Sequence, residues 1–125
     1  MLQVPERSTE LVLAMAAFFD TLDRKLYDQS TFYDADTGAS CICGWTNRFM
    51  NPEVSPCDIA SDTAMAAQAL GLDTVEANKL FNGNAGITFG FSLFGLGRKK
   101  YPKPEDAARC LRDLAVTGMV PAWWS

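Results

Sequence analysis

Histidine is absent from this 125-residue chain. Its absence removes the commonest general base and the commonest neutral metal ligand. Long apolar runs are missing too: the longest, residues 11–19, is nine residues, less than half of what a bilayer-spanning helix requires. The opening MLQVPERSTE has neither the charged start nor the apolar run of a signal peptide. The expected location is therefore the cytoplasm, with all four cysteines reduced. Positive charge is scarce, 11 Lys and Arg against 15 Asp and Glu for a net charge of −4, which disfavours phosphate-driven binding to nucleic acid.

What is present describes a folded protein. The composition, 48% hydrophobic and 21% charged, lies far from that of disordered chains. The length suits one domain over residues 1–125, able to bury roughly two-thirds of its unfolded surface without a disulfide or metal. The patterning predicts a mainly α, compact domain of about five helices. A lead over 1–7 precedes the first helix and a tail over 119–125 packs on the core.

The first helix is expected over 8–26, capped by Ser8, with Leu11, Met15, Phe18, Phe19, Leu22 and Leu26 at amphipathic spacing. Its first half is apolar nearly all round, which fits a central position or a homodimer seam. Residues 28–39 read as a loop rich in Asp, Ser, Thr and Gly. A further helix is expected from the Ser55-Pro56 start to the Gly71 stop. Another begins at the Asp73 and Glu76 capping box and buries Leu80 and Phe81. The last is expected over 104–117, with Leu111 on its inner face and Gly118 at its end.

The organising stretch is residues 40–50, SCICGWTNRFM. Read at about 100° per residue it is a short core helix, with Cys41, Ile42, Trp45 and Phe49 on one face and Gly44, Asn47 and Arg48 on the other. Gly44 costs such a helix about 1 kcal/mol against alanine, which makes sense where another element approaches its backbone closely. Trp45 is expected to make the largest apolar contact.

No catalytic, cofactor-binding or metal-ligating residue is assigned. Cys41 and Cys43 invite a zinc reading with Cys57 and Cys110, but residues i and i+2 of a helix point about 200° apart, and the C-x2-C spacing is missing. The thiols read better as small buried hydrophobes. A cysteine nucleophile lacks a histidine base, and Asp28, Asp34 and Asp36 do not have the calcium-loop pattern. The glycines of residues 83–97 form neither a P-loop nor a dinucleotide fingerprint.

The strongest functional signal lies in residues 83–103, a long loop rich in aromatics and glycine with a possible short hairpin. Ile87, Phe89, Phe91, Leu93, Phe94 and Leu96 are followed at once by Arg98, Lys99 and Lys100. Either these aromatics fill the core and the lysines solvate the exit from it, or they form an apolar and basic surface that suits an acidic protein partner or, alternatively, an anionic membrane surface. The leading expectation is a non-enzymatic protein acting through protein–protein interaction. A cysteine-based metal site or enzyme is a further alternative.

Four pieces of sequence carry a resemblance: ASCICGW at residues 39–45, LGL at 70–72, EAxxLF at 76–81 and PEDAAxxL at 104–111. Together they resemble a family of small, largely uncharacterised proteins of actinobacteria and their phages with an ACIAGW-like core. Cys43 stands where that family usually has alanine, and the insertion after Phe81 departs from its pattern. The resemblance implies a small phage or bacterial accessory protein, in the host cytoplasm if phage-encoded, and brings no catalytic residue with it.

Overall fold

Helix α1 (Glu6–Thr21) buries one stripe of its apolar surface, Val12, Met15, Ala16 and Phe19. The computed structural model describes residues 6–82 and 102–124. The all-round apolar first half of α1 is therefore split between inside and outside, since Leu13, Ala14 and Ala17 face outward. The helix departs from its expected span at both ends. Ser8 lies inside it, and it stops at Thr21. There the Asp23 carboxylate accepts the Lys25 N–H at 2.9 Å and turns residues Arg24–Leu26 into a 3-10 turn, the local competition that short polar side chains offer to an α-helix.

The chain from Tyr27 to Ser40 is irregular, as its composition requires. It is closed by a bridge between those two residues and by the Cys41 N–H bond to the Thr31 carbonyl at 2.8 Å. Asp28 and Asp34 accept backbone N–H groups two residues on, each at 2.9 Å. These carboxylates therefore shape turns.

Helix α2 (Ile42–Met50) is covered on more than one side. Ile42, Cys43, Gly44, Thr46 and Asn47 are all buried. A methyl group on Gly44 would overlap the Phe32 carbonyl oxygen and come within 2.9 Å of Ser40 Cβ. That is the close backbone approach the glycine suggested. The face of the expected core is nevertheless shifted. Trp45 is only half-buried, and Phe49 is 44% exposed, because it lies in the last turn of α2, where the edge of Phe18 covers it in part at 5.8 Å.

A single helix from Ser55 to Gly71 does not form. Instead α3 (Pro56–Ile59) and α4 (Thr63–Leu70) are separated at Ala60, Ser61 and Asp62. Asp62 starts α4 by accepting the Met65 N–H at 3.0 Å. The buried Asn47 amide donates to the carbonyls of Ile59 and Asp62, both at 2.9 Å. The two carbonyls already accept the Asp62 and Ala66 N–H groups, at 3.0 and 3.2 Å, so each takes a second bond from α2 on its remaining lone pair, which ties the corner to that helix.

Helix α4 ends at Gly71, whose φ of 74° lies in the left-handed region that favours glycine. Helix α5 (Thr74–Asn82) begins where Asp73 accepts the Glu76 N–H at 2.8 Å. The Glu76 carboxylate, however, does not act as the returning half of a capping box. It accepts the Val120 N–H at 2.8 Å and so fastens the tail to α5.

Helix α6 (Pro104–Thr117) has its expected span and packs extensively along α1. Ala107, Cys110, Leu111 and Leu114 are buried on its inner face, and the Asp106 carboxylate accepts the Lys103 N–H at 2.9 Å. Trp124 is the largest fully buried side chain, a place expected for Trp45. Its neighbour Trp123 is 41% exposed and stacks under the Arg109 guanidinium at 4.0 Å. The fold is mainly α, with six helices and no named strand among the described residues. No helix among the described residues is long and apolar enough to cross a membrane.

Candidate functional site

The last turn of any α-helix leaves carbonyl groups without an intrahelical partner. At the end of α5 these are met by side chains from distant parts of the chain. The Leu80 carbonyl accepts the Trp124 indole N–H at 2.8 Å and a longer bond from Gln29 Nε2 at 3.4 Å. The Phe81 carbonyl accepts from the same Gln29 nitrogen at 3.1 Å.

Gln29 is itself buried, at 5% exposure, and its side-chain oxygen accepts the Tyr27 hydroxyl. Burial raises the Tyr27 phenol well above its ordinary range, so it is a neutral O–H donor. The resulting chain of bonds runs from Tyr27 through Gln29 to the last turn of α5. Every member is held in a protected environment, where such bonds are strongest.

Asn82, the last residue of α5, and Pro102, just ahead of α6, are the two roots of segment 83–101. Both border the stretch 27–32. Pro102 lines a cleft of about 380 Å³ with Tyr27, Asp28, Gln29 and Ser30. Asn82 and Phe81 line a second cleft of about 180 Å³ with residues 29–32 and Cys41. The candidate site is this rim. Its polar anchor is Gln29, which nothing in the sequence singles out, because a glutamine in a polar loop carries no signal of the helix end it will meet.

The sequence-predicted partner-binding residues Ile87, Phe89, Phe91, Leu93, Phe94, Leu96, Arg98, Lys99 and Lys100 lie outside the described residues, as does the possible hairpin. Of the expected core set, the structure brings Cys41, Ile42, Gly44, Leu80, Phe81 and Leu111 into the interior and leaves Trp45 at its margin and Phe49 outside.

The four cysteines are free thiols. Cys41, Cys43 and Cys110 are buried and Cys57 is exposed. Burial raises the three interior thiols above their ordinary range, which keeps them protonated and poorly nucleophilic. The Cys43 thiol reaches the Ala60 carbonyl at 3.7 Å. Among the described residues, no three Cys, Asp or Glu side chains gather in a way that could hold a metal ion.

Arg48, placed by its spacing on the face of α2 opposite Trp45, is a fastening between elements. Its guanidinium donates to the Gly38 carbonyl at 2.8 Å and to Ser40 Oγ at 3.0 Å. It also stacks 3.8 Å from the Trp45 ring and 5.0 Å from that of Tyr33. Burial lowers its pKa from the usual arginine value, and the contacts supply donors' partners and aromatic faces in place of water. These are structural contacts that hold residues 33–40 against α2.

No family model, curated protein or solved structure matches the chain.

Proposed function

We propose that the chain is a non-enzymatic accessory protein, of phage or bacterial type, that acts by binding another protein through residues 87–103. The observation supporting this reading is the anchored rim. Both roots of the segment border residues 27–32, and the first root leaves a helix end tied down by Gln29 and Trp124. A segment that leaves a fastened helix end is a suitable recognition element, since binding residues are commonly borne on connections set by a rigid scaffold. The residue types add to this: Ile87, Phe89, Phe91 and Phe94 supply apolar contact, and Arg98, Lys99 and Lys100 supply attraction to an acidic partner.

The test is a pull-down with the wild type and with a variant in which residues 84–100 are replaced by a Gly-Ser linker. The two proteins are first matched in helical circular dichroism and thermal midpoint. The wild type is expected to capture a protein that the variant does not. Capture of the same proteins by both overturns the reading, and so does recovery of the wild type on anionic vesicles with no protein captured.

A further inference from the structure

We draw no further inference here: the strongest candidate, the exposed apolar patch of Phe49 and Met50 at the end of α2, where Phe49 meets the Phe18 ring of α1, carries nothing because nothing in the structure shows what covers it.

Discussion

The C-terminal ends of α4 and α5 are closed by different means. At the end of α4, the Gly71 N–H bonds back to the Gln68 carbonyl at 3.1 Å and the Leu72 N–H to the Ala67 carbonyl at 2.9 Å. Every partner lies within five residues, so closure is a property of the local sequence. At the end of α5, the partners are Gln29 and Trp124, which lie 51 and 44 residues away from Leu80. That closure exists only when the loop 27–32 and the tail have both docked. The hydrogen bonds at the root of segment 83–101 therefore depend on the docking of distant parts of the chain, while those at the end of α4 do not.

Trp124→Ala provides the most severe break in this comparison. It removes the largest fully buried side chain and the indole donor to Leu80 together, and a loss of about 3–5 kcal/mol is expected from the truncation of a buried aromatic residue. Chemical denaturation measures it; a loss below about 1 kcal/mol, the scale of an ordinary surface change, would show that the tail is not part of the core. Gln29→Ala is expected to cost about 1–3 kcal/mol, because the Tyr27 hydroxyl and the Phe81 carbonyl lose a buried partner. An unchanged denaturation midpoint in that variant would rule out the Gln29 anchor.

Gly71→Ala sharpens the local side of the comparison. Its φ of 74° imposes a left-handed strain of roughly 1–2 kcal/mol on alanine, with the effect confined to the α4–α5 corner. Hydrogen exchange should show faster opening at residues 66–72 and little change at 80–82; the reverse pattern contradicts local closure. The smallest effect is expected for Leu13→Gln. Leu13 is 47% exposed on the outer face of α1, so the stability change should stay within about 0.5 kcal/mol. A larger loss in thermal or chemical unfolding would place that face in a contact that stabilises the folded state.

What was legible in the sequence follows the same division between local and distant causes. The span of α6 could be read from Pro104, Glu105, Asp106 and Gly118, because each signal acts within a turn of the residue that carries it. Gly44 likewise announced a close approach, although not that the Phe32 carbonyl would supply it. The corner between α3 and α4 was not legible, because the side chain that ties it down, Asn47, is on another helix. Phe49 misled for a related reason. Helical spacing puts it in line with Trp45, but spacing cannot say where the covering element ends. For the candidate rim, Trp124 was conspicuous as a tryptophan in a short tail, whereas Gln29 gave no indication of its role. The aromatic and basic pattern of residues 87–100 was visible at once, and it specifies chemistry without specifying placement.

The central claim is that Gln29 and Trp124 act together on the same helix end. A double-mutant cycle with Gln29→Ala and Trp124→Phe tests it directly, since phenylalanine keeps most of the ring and removes the indole N–H that reaches Leu80. The account predicts that the two losses are non-additive by at least about 0.5 kcal/mol, as expected for residues sharing one hydrogen-bond network. Strict additivity would mean that α5 is held by two unrelated contacts, and the coupled rim would have to be abandoned.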